Sequence, residues 1–185
     1  MVIRYGEIQV VKLNNALSLI REIPDYPQPG ILFRDITPLL ANQEAFAIVT
    51  ESLLSHNGTA SHIAGIEARG FILASAMAIK AGAGFVPIRK AGKLPHAVFA
   101  ESYSLEYGRA TLEIHQDAFA HSQKVLLVDD VLATGGTVLA ALKLIKRAGG
   151  NISQLCVLLE ISALGGRSRI LSEFPEVDIK ALVQV

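Results

Sequence analysis

The segment Val125-Leu-Leu-Val-Asp-Asp-Val-Leu-Ala-Thr-Gly-Gly-Thr137 contains the strongest structural signal in the chain. Its first four residues form an unbroken apolar run, which is typical of a parallel strand that is covered on both faces. Asp129 and Asp130 follow directly, and a loop of small residues then leads into an amphipathic segment. That segment predicts a helix, which the Gly149-Gly150 pair ends. The stretch therefore predicts a strand, a polar loop and a helix in immediate succession.

Strands and helices alternate on both sides of this segment. The sequence predicts strands at His62–Ile66, Gly84–Ile88 and Ile152–Glu160, an edge strand at Ile179–Val183, and a helix over Gly70–Ala81. Such alternation predicts an α/β fold with a mostly parallel central sheet flanked by helices. In sheets of this kind ligands bind beyond the carboxyl ends of the strands, so we expect functional residues there.

The remaining parts of the chain are less regular. A helix is predicted near the N-terminus, where Val10, Leu13, Leu17 and Ile20 fall on one face, and the proline-rich segment 24–30 ends it. A second helix is predicted over Leu40–Leu54. Lys90–Gly108 predicts a long loop or hairpin arm, and Ala110–His115 has the character of a strand.

Composition excludes several classes of protein. The 185 residues suit one domain, and 17 Lys plus Arg residues balance 17 Asp plus Glu residues. A strongly basic nucleic-acid binder is therefore not expected. No apolar run approaches the ~20 residues of a membrane span. Cys156 is the single cysteine, so no intrachain disulfide can form. We expect a cytoplasmic protein, and we expect neither a membrane nor a nucleic acid as its partner.

The loop after the acidic pair has the chemistry of an anion site. Amides exposed at a helix N-terminus attract phosphate, and Gly135 and Gly136 allow a phosphate to approach the backbone. Thr134 and Thr137 add hydroxyl donors. Carboxylates suit sugar hydroxyls, which donate hydrogen bonds, so the segment predicts a site for a ribose 5-phosphate. It is not a Walker A loop, because no Lys follows the glycines.

This segment resembles the phosphoribosyl-diphosphate (PRPP) signature of the type I phosphoribosyltransferase family. The resemblance implies the fold of that family, with a base-binding arm or hood and a flexible lid hairpin. It implies that Asp129 and Asp130 contact the ribose 2- and 3-hydroxyls. It also implies that the small-residue loop holds the 5-phosphate through five residues: Ala133, Thr134, Gly135, Gly136 and Thr137.

A second anion site is predicted at Gly65-Ile-Glu-Ala-Arg-Gly70, which also ends a strand and opens a helix. Alone, a helix-start arginine is usually solvated, but beside the first site it matches a substrate with phosphates at both ends. In the resembled family this loop binds pyrophosphate, which assigns Ala68, Arg69 and Gly70 to that group. A basic turn follows the next strand and supplies three further pyrophosphate candidates: Arg89, Lys90 and Lys93. Arg89 and Lys90 could instead serve a neighbouring subunit's site, as is common in the family.

Two segments resemble the adenine branch of the family. Tyr26-Pro-Gln-Pro-Gly-Ile-Leu-Phe-Arg-Asp-Ile-Thr-Pro38 is similar to its adenine-recognition arm, in which Phe33 would stack on the base and backbone groups at Leu32 and Arg34 would read its edge. Ile161 matches the aliphatic position on the other face of the base. Ser102-Tyr-Ser-Leu-Glu-Tyr-Gly108 is similar to the lid, where Glu106 would transfer the proton and Tyr107 would belong to the lid.

The resemblance implies one phosphoribosyltransferase domain over residues 1–185, with the arm at about 1–40 and the lid hairpin at about 90–115. It implies transfer of the phosphoribosyl group from PRPP to adenine, with release of AMP and pyrophosphate. Mg²⁺ would be held mainly through substrate oxygens, with Arg69 and Glu106 as catalytic residues and a homodimer as the assembly. Two alternatives stay open: an enzyme for hypoxanthine, guanine or xanthine, and a PRPP-binding regulatory protein.

Overall fold

The computed structural model describes residues 5–55, 60–104 and 108–185. The chain divides into two compact units, Met1–Ser52 and Leu53–Val185. The first unit holds the N-terminal helices and a small hairpin. The second unit holds a seven-stranded sheet.

The first unit contains five elements: α1 (Tyr5–Leu17), β1 (Arg21–Ile23), β2 (Phe33–Asp35), α2 (Thr37–Ala41) and α3 (Gln43–Leu54), whose last two residues belong to the second unit. α1 ends before Ile20, and Val10 is exposed, so the predicted apolar face is wrong in these two positions. Among residues 10–17 of this helix, Ala16 is the buried side chain instead. The small Ala16 side chain is buried, whereas the larger Val10 side chain is exposed to solvent.

The helix predicted over Leu40–Leu54 is two helices in the structure. Asn42 separates them because its side-chain Oδ1 accepts a hydrogen bond from the Ala45 amide at 2.9 Å. This is the N-cap arrangement that asparagine favours, and it starts α3 afresh after the short α2. Val49 and Leu53 are buried along one face of α3.

In the parts of the second unit that the structure describes, there are seven strands, three α-helices and a 3₁₀ turn at Ser162–Leu164. The strands and α-helices are β3 (His62–Ile66), α4 (Arg69–Ala81), β4 (Gly84–Lys90), β5 (Val98–Ser104), β6 (Arg109–His115), β7 (Lys124–Leu132), α5 (Gly136–Arg147), β8 (Asn151–Glu160), α6 (Gly166–Glu173) and β9 (Asp178–Gln184). The strand order is β5-β6-β4-β3-β7-β8-β9. Five neighbouring strands of this order, β4-β3-β7-β8-β9, pair in parallel. Strand β6 pairs antiparallel with β4 and with β5. The predicted mostly parallel sheet is confirmed.

Both faces of β7 are buried. Val125 and Leu127 belong to the core cluster that includes the apolar face of α5. The alternate residues Leu126 and Val128 are equally buried but lie outside that cluster. Because successive side chains of a strand point to opposite faces, this burial explains the unbroken apolar run in the sequence.

The segment after Lys90, for which a loop or a hairpin arm was expected, contains strand β5, which pairs antiparallel with β6 from Val98↔His115 to Ser104↔Arg109. Of the two expectations, the hairpin arm is confirmed. The helix α6 was not predicted, because its sequence GRSRILSE is largely polar and buries only Gly166 and Ile170.

Candidate active site

The predicted phosphate loop lies between β7 and α5. Its backbone turns at Gly135, where φ is +80°, a left-handed conformation that favours glycine. The Gly135 carbonyl then accepts the first hydrogen bond of α5, from the Leu139 amide at 2.9 Å. A cavity of about 80 Å³ is lined by Asp129, by Val131 and by the continuous stretch 132–138. The structure therefore brings Asp129 and all five predicted loop residues to one small concave site.

The acidic pair lies within β7, not after it. The strand continues to Leu132 because β8 pairs with it as far as Leu132↔Glu160. Asp129 and Asp130 are only 8% and 5% exposed. The Asp129 carboxylate accepts a hydrogen bond from the Asp130 amide at 2.9 Å.

Burial dominates the electrostatics of this pair. It raises the pKa of Asp129 well above its ordinary value, and the neighbouring Asp130 charge adds to the rise. Burial also raises the pKa of Asp130, although Arg69 opposes the change. Arg69 Nε lies 2.8 Å from Asp130 Oδ2 without the alignment of a hydrogen bond, which leaves that oxygen buried and unsatisfied. The buried pair therefore presents at least one oxygen, Asp130 Oδ2, that accepts no hydrogen bond from the described residues.

The predicted pyrophosphate loop adjoins the acidic pair. It connects β3 to α4, its Glu67–Ala68 peptide is cis, and Arg69 is the first residue of α4. Gly70 packs against β7 so closely that an added Cβ would lie 2.9 Å from Asp129 Oδ1. Together with the Arg69 contact to Asp130, this packing places the predicted pyrophosphate loop beside the acidic pair, on the strand that leads into the predicted phosphate loop.

The basic turn is organised around Glu67, a residue that the sequence reasoning did not select. Lys93 Nζ pairs with Glu67 Oε1, and Arg89 Nε lies 3.5 Å from Oε2. The Lys90 amide donates to Oε2 at 2.9 Å. Partial burial alone would raise the pKa of Glu67, but the hydrogen bonds from Lys93 and from the Lys90 amide outweigh it and lower that pKa. One carboxylate therefore holds the Arg89 and Lys93 side chains and the Lys90 backbone amide.

The predicted adenine arm is an ordered hairpin of the first unit. Phe33 begins β2 and pairs with Ile23 of β1. Its ring meets the Tyr26 ring edge to face, with centroids 5.1 Å apart. Arg34 forms an ion pair with Glu22 at 2.7 Å, and Leu32 is exposed. The three predicted arm residues are thus consecutive: Leu32 directly precedes β2, and Phe33 and Arg34 are its first two residues.

The end of β8 carries a fixed ion pair next to the predicted base contact. Ile161 directly follows the strand and is half-buried. Glu160 is buried and accepts hydrogen bonds from Arg167 Nε at 2.9 and 3.1 Å and from Gln184 at 3.0 Å. The Arg167 hydrogen bonds lower the pKa of Glu160. The Glu160 pair was not foreseen, and the polar GRSR sequence gives only a weak signal of it.

Glu106 and Tyr107 lie outside the described residues, so their predicted roles stay predictions. Among the residues that the structure does describe, no group of three or more His, Cys, Asp or Glu side chains could hold a metal ion. None of the helices in those parts of the chain is long and apolar enough to cross a membrane.

Known proteins resemble this chain over most of its length. Residues 35–180 match the family model described as "Phosphoribosyl transferase domain". The chain is 54% identical to the adenine phosphoribosyltransferase of Acidothermus cellulolyticus over 90% of its own length and 93% of that protein. It is 52% identical to the adenine phosphoribosyltransferase of Streptomyces clavuligerus over 83% of its own length and 88% of that protein.

Solved structures agree with these relatives. The crystal structure of the adenine phosphoribosyltransferase from Rhodothermus marinus has a TM-score of 0.87 and 43% identity, and the match covers 95% of this chain and 99% of that one. The Giardia lamblia enzyme complexed with 9-deazaadenine has a TM-score of 0.86 and 37% identity, over 94% and 97% of the two chains. On its fold and on these relatives, the chain belongs to the adenine phosphoribosyltransferase branch of the phosphoribosyl transferase family.

Proposed function

We propose that this chain transfers the 5-phosphoribosyl group of PRPP to adenine and releases AMP and pyrophosphate, a purine salvage reaction. The observation that carries the proposal is the junction of two anion loops at a buried acidic pair: Gly70 packs on Asp129, and Arg69 contacts Asp130. A sugar with a phosphate at one end and a diphosphate at the other needs this order of groups.

Each part of PRPP has a proposed partner. The Thr134 and Thr137 hydroxyls and the loop amides hold the 5-phosphate, while the ribose hydroxyls donate hydrogen bonds to Asp129 and Asp130. Arg69 and the amides at Ala68 and Gly70 stabilise the negative charge that develops on the leaving pyrophosphate. The basic turn adds Arg89, Lys90 and Lys93 on that side, in this subunit or a neighbouring one.

Mg²⁺ is the proposed cofactor. The carboxylate oxygens of the acidic pair are a type of ligand that this ion accepts. Asp129 and Asp130 are oxygen donors, and Asp130 Oδ2 is a buried acceptor without a hydrogen bond. Mg²⁺ usually binds through few carboxylates plus substrate phosphates, so no protein cage is required. When bound, the ion would neutralise charge on the diphosphate.

The adenine site is proposed at Leu32, Phe33, Arg34 and Ile161. Phe33 would stack on the planar base on one face and Ile161 would pack on the other. In-line positioning of adenine against the anomeric carbon converts a bimolecular encounter into an oriented displacement. The relative from Giardia lamblia was crystallised with the base analogue 9-deazaadenine, which supports a purine base as the second substrate.

An activity panel tests the function. The protein, PRPP and Mg²⁺ are incubated separately with adenine, hypoxanthine, guanine and xanthine, and nucleotide and pyrophosphate are quantified. We expect AMP from adenine alone. Product from an oxopurine would keep the PRPP site and contradict the proposed arm. PRPP binding without any product would favour the regulatory alternative.

Glu106 is proposed to manage the proton on the purine nitrogen. A carboxylate does this near neutral pH when its surroundings raise its pKa, as closure of a lid would by excluding water. We expect Glu106→Gln to lower kcat for adenine by at least about tenfold while the affinity for PRPP is retained. Measured kcat and KM values for both substrates check this. Normal turnover of adenine by the variant would contradict the role.

A homodimer is the proposed assembly, because α4 and β4 expose apolar side chains that a second subunit would cover. Ile72 and Ile79 lie seven residues apart on one helix face, and Ile79 is 86% exposed. Phe85 of β4 is also exposed and packs edge to face on Phe71 at 5.6 Å. Phe85 belongs to the same strand as Arg89. A second subunit that covers Phe85, Ile72 and Ile79 is therefore the proposed neighbour of Arg89.

We expect Ile79→Glu to convert the dimer to a monomer, because a charge would have to be buried at the interface. Sedimentation equilibrium of the wild type and the variant checks the mass. Lys80→Glu, on the adjacent exposed position, is the matched control and should leave the mass unchanged. A monomeric wild type, or an Ile79→Glu dimer, would contradict this interface.

The organisation of residues 1–185 as one phosphoribosyltransferase domain, with the arm at about 1–40 and the lid hairpin at about 90–115, is also part of the proposal. The proposed compartment is the cytoplasm, in agreement with the single buried thiol of Cys156.

A further inference from the structure

The start of α6 contacts the phosphate loop from behind. A Cβ added to Gly166 would lie 2.1 Å from the Ala133 carbonyl oxygen and 2.9 Å from the Gly135 nitrogen. Arg169 Nη1 donates a hydrogen bond to the Thr134 carbonyl at 3.3 Å. Two consecutive carbonyl groups of the loop, those of Ala133 and Thr134, therefore face α6.

The direction of these carbonyls sets the direction of the loop amides. In a trans peptide the C=O and the N–H of one unit point in opposite directions, and the described cis peptides are elsewhere, at Tyr26–Pro27 and Glu67–Ala68. The Thr134 and Gly135 N–H groups consequently point away from α6. A rotated peptide would instead present a carbonyl oxygen to the phosphate and repel it.

α6 is itself fixed to the sheet by contacts that do not involve the loop. Arg167 donates to the buried Glu160 carboxylate and, through Nη1, to the Ile179 carbonyl at 2.8 Å. Ile170 is fully buried. These contacts tie the helix to β8 and β9, so Gly166 and Arg169 present a rigid surface to the loop.

We infer that Gly166 and Arg169 are positioning residues for PRPP, which keep the carbonyls of Ala133 and Thr134 turned away from the 5-phosphate and the amides of Thr134 and Gly135 turned toward it. The inference rests on the proposed function, because it takes this loop as the 5-phosphate site. It extends the site to α6, a helix that touches no reacting atom in this scheme.

The test is a titration with ribose 5-phosphate by calorimetry, combined with steady-state kinetics. Gly166→Ala should weaken ribose 5-phosphate binding about tenfold or more, because hydrogen bonds to a charged group are lost. Arg169→Gln should weaken it about threefold to tenfold. For both variants KM for PRPP should rise, whereas KM for adenine should not. Arg169→Lys should recover part of the loss, and Ser168→Ala, an exposed change on the same helix, should have no effect.

The outcomes separate this inference from the proposed function. If the wild type does not bind ribose 5-phosphate, the phosphate site and the inference both fail. If the wild type binds it and folded Arg169→Gln binds it equally well, only the inference is overturned. The inference alone is also overturned if the variants have a lower melting temperature or a lower kcat but an unchanged KM for PRPP. Such a result would mean that Gly166 and Arg169 act on stability and not on the position of PRPP. Should Gly166→Ala not fold, Arg169→Gln decides, since Arg169 is exposed.

Discussion

Asp129→Asn is expected to raise the melting temperature of the ligand-free protein and, at the same time, to lower kcat/KM for PRPP. The carboxylate of Asp129 is buried beside a second carboxylate, and the Asp130 amide donates a hydrogen bond to it. Asparagine keeps the shape and removes the charge. A gain of about 1 kcal/mol would raise the melting temperature by about 2–4 °C in a chain of this size. The loss of a charged acceptor for a ribose hydroxyl should cost about 10–100-fold in kcat/KM.

The stability effect has a defined dependence on pH. The folded-state pKa of Asp129 lies above the ordinary value of 3.8, so folding favours the protonated form. That contribution is complete below pH 3.8 and is lost as the pH rises through the raised pKa. The melting temperature of Asp129→Asn minus that of the wild type should therefore increase with pH across that window. Differential scanning calorimetry from acidic to mildly alkaline pH measures the difference.

Two variants serve as controls for this prediction. Asp117→Asn removes an exposed carboxylate and should change neither the melting temperature nor the activity. Asp130→Asn should stabilise less than Asp129→Asn, because Arg69 already compensates the Asp130 charge. If Asp129→Asn lowered the melting temperature at every pH, the buried charge would not be the dominant cost at this position.

The sequence predicted the elements whose signals are local. Strand β7, the small-residue loop and helix α5 follow one another within 24 residues, and each has its own pattern of apolar, small or amphipathic residues. The strand's continuation to Leu132 was not predicted, because it depends on pairing with Leu159 and Glu160 of β8. That pairing is a tertiary contact, which the local sequence does not contain. Asp129 and Asp130 interrupt the apolar residues of β7, and such an interruption is typical of a strand end.

The residues that sequence reasoning missed act through distant partners. Glu67 holds Lys93, which lies 26 positions later, and Arg167 holds Glu160 and the Ile179 carbonyl. A carboxylate in a loop or an arginine in a polar helix has no local feature that distinguishes it from a solvated residue. Gly166 has the same difficulty, since only the 2.1 Å distance between an added Cβ and the Ala133 oxygen shows that no side chain fits.

The proline-rich arm shows the same limit at shorter range. Its prolines and glycine correctly indicated an ordered turn, but the flanking strands β1 and β2 are three residues each. Such short strands have no periodicity to detect. The Asp25 carboxylate accepts a hydrogen bond from the Gly30 amide at 2.7 Å and closes the turn between them. The hairpin is therefore held by side-chain contacts that composition alone does not reveal.

Arg69→Gln is expected to lower kcat/KM for PRPP by about 10²–10³-fold, because charge-assisted and bidentate contacts to the leaving group stabilise the transition state most. Arg69 starts α4, contacts Asp130, and is more than one-third exposed toward solvent. The guanidinium can therefore reach a bound diphosphate while it neutralises the acidic pair. Arg69→Lys should recover little, since an ammonium lacks the planar fork that matches phosphate oxygens.

Separate binding measurements with pyrophosphate and with ribose 5-phosphate identify the cause of this loss. Arg69→Gln should weaken the binding of pyrophosphate and leave the binding of ribose 5-phosphate nearly unchanged, because the 5-phosphate loop belongs to a different strand and helix. Lys80→Gln, which removes a cation from the other end of α4, should change neither affinity. Equal weakening of both ligands by Arg69→Gln would instead mean that the Arg69 contact to Asp130 mainly shapes the ribose site. In that case the pyrophosphate would depend on the basic turn around Glu67.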